Sequence, residues 1–139
     1  MRVAVIGAGS WGTTMAAQCA INGPTILWAR RPEVAKEISE DRINRAYLPD
    51  LDLPRGLEAT SDLKEAAERA DVLVMAVPSH GFRKTLEQAA PFVRPWVPVV
   101  SLTKGLEQGS MLRMTQIIEE LMPGHPAGVL TGPNLAKEI

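Results

Sequence analysis

A doubly wound α/β fold on a parallel sheet is what three features of this 139-residue sequence predict. Apolar, β-branched runs alternate with segments of helical periodicity. The first such run stops abruptly at a cluster of glycines. The stretch from Ala70 to Val77 is apolar almost without a break, as a strand covered on both faces must be. No internal repeat or low-complexity segment interrupts the alternation.

The first strand is Val3 to Ile6, and Gly7-Ala8-Gly9-Ser10-Trp11-Gly12 follows it into a helix over Thr13 to Ile21. Gly12, Ala16 and Ala20 recur every four positions and give that helix a smooth stripe for close approach to a sheet. Asn22-Gly23-Pro24 ends it with a C-terminal glycine and a proline. Thr25 to Trp28 reads as the second strand and Pro32 to Glu40 as a short helix with proline at its first position. Asp41 to Gly56 is a long, proline-rich connection, of a length that points to function rather than idleness. Leu57 to Thr60 makes the third strand, Ser61 is the expected cap, and Asp62 to Arg69 the next helix.

The central apolar run ends in Pro78-Ser79-His80, at the edge where open α/β sheets bind ligands. A helix from about Gly81 to Phe92 precedes a fifth strand, Val97 to Leu102. Met111, Met114, Thr115, Ile118, Leu121 and Met122 then share one helical face, the methionines as core filler and not as a metal-ligand set. Ala127 to Leu130 is the sixth strand. Thr131-Gly132-Pro133-Asn134 leads into a helix that is in progress at Ile139, so the chain reads as a single-domain fragment.

With 45% apolar and 22% charged residues the composition is that of an ordinary globular domain, long enough to bury a core. Fifteen basic side chains balance 16 acidic ones, which leaves no electrostatic case for nucleic acid or an anionic membrane. No apolar run approaches the roughly 18 residues of a spanning helix, and no charged-then-apolar leader precedes the first strand, so the expected compartment is cytoplasmic. The single cysteine, Cys19, cannot support a disulfide framework; inside the first helix it is expected as a small buried hydrophobe rather than a reactive thiol. His125, between Gly124 and Pro126, reads as a surface-turn residue.

The glycine turn carries the chemistry. G-x-G-x-x-G between a strand and a helix is the dinucleotide-binding pattern of the Rossmann-type fold: Gly7 permits the tight turn, Gly9 clears space for a pyrophosphate, and Gly12 lets the helix close on the sheet. Free amides and the positive end of the helix dipole then face the phosphates. An NAD-selective site places a carboxylate about 20 residues further on, at the end of the second strand. Here that strand ends in Arg30 and Arg31, which either accept a 2′-phosphate, so that NADP is tolerated beside NAD, or form a solvated surface pair. His80 reads as a solvent-facing helix-start residue with cofactor contact as the alternative. Lys104 is either an ordinary loop lysine or a cation set at the sheet edge.

Taken together, Val5-Ile6-Gly7-Ala8-Gly9-Ser10-Trp11-Gly12-Thr13, Asn22-Gly23, Leu27-Trp28, Asn44 with Tyr47-Leu48-Pro49, Val77-Pro78-Ser79, Thr103-Lys104-Gly105-Leu106-Glu107 and Gly132-Pro133-Asn134-Leu135-Ala136-Lys137-Glu138-Ile139 resemble the N-terminal dinucleotide-binding domain of the bacterial-type NAD(P)-dependent glycerol-3-phosphate dehydrogenases. The resemblance covers the whole chain. It implies reversible hydride transfer between NAD(P)H and dihydroxyacetone phosphate, giving sn-glycerol 3-phosphate for phospholipid synthesis. It further implies that Ser10 and Trp11 bind the cofactor phosphates, that Arg30 and Arg31 lie at the adenosine ribose, and that Tyr47, Pro78 and Ala136 touch cofactor. Lys104 would sit between cofactor and substrate, with Gly132 and Asn134 lining the substrate site; Asn134 stands where many members carry serine or threonine. In the family a second, helical domain follows and brings the lysine that accepts the substrate proton. No residue here matches that lysine, so the fragment carries no catalytic base and is expected to bind cofactor without turnover, and a homodimer of the complete protein stays open. A 3-hydroxyacid dehydrogenase and a free-standing NAD(P)-binding or sensing module are the rival readings.

Overall fold

The structure, a computed structural model, describes residues 1–133 together with Leu135 and Ala136. Among the described residues six strands alternate with five α-helices: β1 (Val3–Ile6), α1 (Ser10–Asn22), β2 (Thr25–Trp28), α2 (Pro32–Asp41), β3 (Leu57–Thr60), α3 (Leu63–Glu68), β4 (Val72–Met75), α4 (Ser79–Ala89), β5 (Val99–Ser101), α5 (Met114–Leu121) and β6 (Ala127–Val129). They form one sheet in the order β3-β2-β1-β4-β5-β6. Every pairing is parallel, with Val3 opposite both Thr25 and Val72. The doubly wound prediction holds.

The strand period of two splits the core. Ile6, Ile26, Leu73, Met75 and Val99 point to one face, where Ala66 and Ala67 of α3, Phe82 and Leu86 of α4, and Ile117 and Ile118 of α5 cover them. Val5, Leu27 and Val74 point to the other, against Ala16 and Ala17 of α1 and Val34, Ala35 and Ile38 of α2. Helices cover both faces, which is why the central strands read as unbroken apolar runs.

Local details depart from the sequence reading for identifiable reasons. The cap of α3 is Asp62, not Ser61: its Oδ1 accepts from the amides of Lys64 (2.9 Å) and Glu65 (3.3 Å), the second and third residues of a helix that starts at Leu63. Met111 lies outside α5, 65% exposed with φ 61°, because an isolated bridge between Leu106 and Arg113 closes a loop before the helix can begin. Met114, Ile118 and Met122 are buried as expected, joined by Ile117, which the periodicity did not single out. Gly23 is extended (φ 173°), not left-handed; as the residue before Pro24 it is driven out of the helical region, so the proline ends α1. Helix α4 begins two residues earlier than expected, which makes Ser79 and His80 its first residues.

Cys19 is only partly buried, and that burial pushes its thiol pKa up. His125 is also partly buried, its Nδ1–H donating to the Val97 carbonyl (2.9 Å). Most of the helix expected over 135–139 lies outside the described residues. Among the described residues no helix is long and apolar enough to cross a membrane, and no cluster of three or more His, Cys, Asp or Glu side chains gathers to hold a metal ion.

Candidate functional site

The chain leaves β1 for one half of the sheet and reaches β4 in the other, so the loops beyond these neighbouring strands part and open a cleft at the carboxyl edge. Its volume is about 720 Å³. Gly7, Gly9, Ser10, Trp11 and Gly12 contribute its glycine turn; Arg30, Arg31, Tyr47, Pro78 and Lys104 also line it, so ten of the predicted side chains or backbone positions share one surface.

The three glycines stand in three different surroundings. Gly7 has φ 120°, and a Cβ there would stand 2.6 Å from the Ala76 carbonyl oxygen. A Cβ on Gly12 would stand 2.0 Å from the oxygen of Gly7, so α1 packs on the turn at a distance no side chain allows. At Gly9 a Cβ would meet nothing within 4 Å. Packing therefore does not demand the middle glycine; the space beside it belongs to the cleft.

Helix α1 starts at this open position without a capping side chain and without an acidic residue in its first turn. Among the described residues the amides of Gly9, Ser10 and Trp11 meet no acceptor. Unpaired amides at a helix N-terminus, next to a space free of side chains, fit an anionic diphosphate.

On one rim β2 ends in Trp28, whose indole N–H donates to the Ser61 carbonyl (3.1 Å), and Ala29 then leads to the two arginines. Both guanidiniums are exposed. Arg31 stands 3.9 Å from Glu33, a surface contact worth little, and Arg30 pairs with no carboxylate among the described residues. On the other rim the loop after β5 carries Lys104. Thr103 fixes its base: its amide donates to Ser101 Oγ (3.1 Å) and its hydroxyl to the Val77 carbonyl (2.6 Å). Glu107 fixes the far end through Arg83 of α4, whose Nε and Nη2 donate at 2.8 and 3.1 Å. The guanidinium, helped by the Ser110 hydroxyl, holds the Glu107 carboxyl below its ordinary range, and the two carboxylates of Glu107 and Glu120 raise Arg83 in turn.

Gly132 and Ala136 are not among the residues that line the cleft. The Ala136 carbonyl instead accepts from the Thr14 hydroxyl (3.2 Å), one turn into α1. Asn134 lies outside the described residues. His80 is exposed, as the reading from sequence favoured, yet it also borders the cleft, which an early helix start explains. Trp28 and Thr103 were not singled out as site residues; their positions at the carboxyl ends of β2 and β5 were the available signal.

Residues 2–139 match the family described as the NAD-dependent glycerol-3-phosphate dehydrogenase N-terminus. The chain belongs to this family. It is 59% identical over 139 residues to a NAD(P)+ glycerol-3-phosphate dehydrogenase of Sphingopyxis alaskensis, covering all of this chain and 42% of that protein. A NAD(P)+ glycerol-3-phosphate dehydrogenase of Mycobacterium avium is 58% identical over 99% of the chain and 41% of its own length. The crystal structure of the glycerol-3-phosphate dehydrogenase of Coxiella burnetii superposes with a TM-score of 0.91 at 31% identity, covering 99% of this chain and 42% of the other. This family chain thus spans about two fifths of the length of the relatives it matches.

Proposed function

We propose that the cleft holds NAD or NADP, and that the chain is the cofactor-binding part of an enzyme that reduces dihydroxyacetone phosphate to sn-glycerol 3-phosphate for phospholipid synthesis. The observation that carries this reading is the pairing of unfilled space at Gly9 with unpaired amides at the start of α1, in a chain of this family. When bound, the reduced nicotinamide supplies the hydride. The chain's own residues do the binding and positioning. Backbone amides of Gly9, Ser10 and Trp11 bind the pyrophosphate, and Arg30 and Arg31 face the adenosine ribose, where a guanidinium pairs with a 2′-phosphate. Tyr47 and Pro78 border the same cleft and bound the cofactor on either side.

Reduction of a ketone builds negative charge on its oxygen. The Lys104 ammonium, which meets no carboxylate among the described residues, stabilises that charge in a cleft that bound reactants would empty of water. Gly132 and Asn134 belong on this reading to the near wall of the substrate site, and Ala136 to the edge of the cofactor site. A helical second domain completes the enzyme and brings the lysine that handles the substrate proton.

Calorimetric titration with NADPH and NADH tests the reading. Saturable binding of either is expected, and Arg30→Ala should weaken NADPH several-fold while leaving NADH nearly unchanged. Residues 1–139 alone should show negligible turnover of dihydroxyacetone phosphate. Steady-state reduction by that chain, or a folded chain that binds neither dinucleotide, overturns it.

A further inference from the structure

We propose that Asn44 is the positioning residue that aims the phosphate-binding turn, an inference that rests on the dinucleotide reading of the cleft. Asn44 sits in the connection between α2 and β3 and is 0% exposed. Its Nδ2 donates to the Ala8 carbonyl (2.9 Å) and to the Thr13 hydroxyl (2.9 Å). One carboxamide therefore ties together the middle of the glycine turn and the first turn of α1.

The first of these bonds has a geometric consequence. The Ala8 carbonyl and the Gly9 N–H belong to one peptide unit, which is trans and planar, so the two groups point in opposite directions. Holding the carbonyl against Asn44 directs the Gly9 N–H the other way, and Gly9 is the position whose missing side chain leaves the cleft open. Were that peptide to rotate, a carbonyl oxygen would replace the amide in front of the phosphates. One of the two torsions of that rotation is φ of Gly9, which has no Cβ to restrict it, so the turn's own backbone resists the rotation poorly. The restraint has to come from outside.

The carboxamide's other end shows which of its groups matters. Asn44 Oδ1 is buried and has no partner among the described residues. Turning the group over would place Oδ1 against the carbonyl of Ala8, two acceptors facing each other. The site thus tolerates an unsatisfied oxygen and keeps both amide hydrogens in use. The Asn44 backbone serves the same cleft, because its carbonyl accepts from the amides of Tyr47 (3.2 Å) and Leu48 (2.8 Å) and so fixes the turn that sets Tyr47 on the rim.

The experiment measures binding of ADP-ribose, which carries the pyrophosphate, and of adenosine, which carries none, to the purified wild-type protein, Asn44→Ala and Leu53→Ala. Leu53 is buried in the same connection and has no place in the cleft. At a temperature where circular dichroism shows each variant folded, Asn44→Ala should raise the Kd for ADP-ribose about tenfold or more and leave that for adenosine unchanged. Leu53→Ala should lower the melting temperature and change neither. Wild-type affinity for ADP-ribose in Asn44→Ala overturns the proposal, and so does a parallel loss for both ligands. If Asn44→Ala does not fold, Asn44→Leu carries the comparison, since it nearly keeps the volume and has no hydrogens to donate. A wild-type protein that ignores ADP-ribose would overturn the dinucleotide reading itself, and the proposal with it.

Discussion

Two parts of the cleft, the glycine turn and the Lys104 loop, are built by different physics. At the glycine turn, position is set by contact: Gly7 and Gly12 sit where a single added carbon would overlap a carbonyl oxygen, and Asn44 braces the peptide between them. At the Lys104 loop, the hydrogen bonds of Thr103 hold the near end and surface charge holds the far end, through the fork of Arg83 onto Glu107 with Glu120 beside it. Steric restraint is indifferent to pH and salt, while partly exposed ion pairs respond to both. The glycine turn is therefore held the same way at any pH and salt, while the far end of the Lys104 loop answers to both.

Gly12→Ala should break the contact-built side most severely. Its Cβ has nowhere to go, and overpacking against backbone should cost about 3 kcal/mol or more, read as a large fall in melting temperature. Gly9→Ala sharpens the contrast within the same turn. Because its Cβ enters open cleft at an ordinary φ of −73°, stability should move by no more than about 0.5 kcal/mol while dinucleotide affinity falls about tenfold or more in a calorimetric titration.

The smallest effect is expected from Arg83→Gln on the charge-built side. The Glu107 carboxyl is held below its ordinary value of 4.5 in the folded chain, so its contribution is complete above that value and is lost as pH falls through the lowered one. The gap in melting temperature between wild type and Arg83→Gln should therefore be constant from neutral pH down to about pH 5 and close in more acid solution. High salt should narrow it at every pH. A gap that persists in acid would mean that Arg83 acts through packing of its stem, not through its charge.

The contact-built turn was also the more legible in sequence. Glycines at fixed spacing between a β-branched run and a helix announce a tight turn and a close helix approach, so Gly7 and Gly12 could be given separate packing tasks from spacing alone. The order of strands and helices followed from periodicity in the same way. What resisted was whatever depends on partners remote in sequence. Asn44 could be noticed in a motif, yet its task needs Ala8 and Thr13, 36 and 31 residues away. Met111 fits the helical period of α5, and only the bridge from Leu106 to Arg113 shows why the helix starts later. Ser61 and Asp62 are both good capping residues, and the choice between them turns on a one-residue shift in the helix start that tertiary packing decides.

The pairing of β1 sets a schedule for folding. Its edge toward β2 is matched by the next strand in sequence, but its other edge waits for Val72 to Met75, with the Arg2–Asp71 contact closing a separation of 69 residues. Until that loop closes, Ala4 and Ile6 have no partners from α3 or α4, and an apolar strand presents an open row of amides and carbonyls. The step that completes the sheet centre spans the longest separation of any strand pairing in the sheet and so carries the largest loop-closure cost. It also brings Ala76 against Gly7, so the ligand cleft takes shape only when the last central strand arrives.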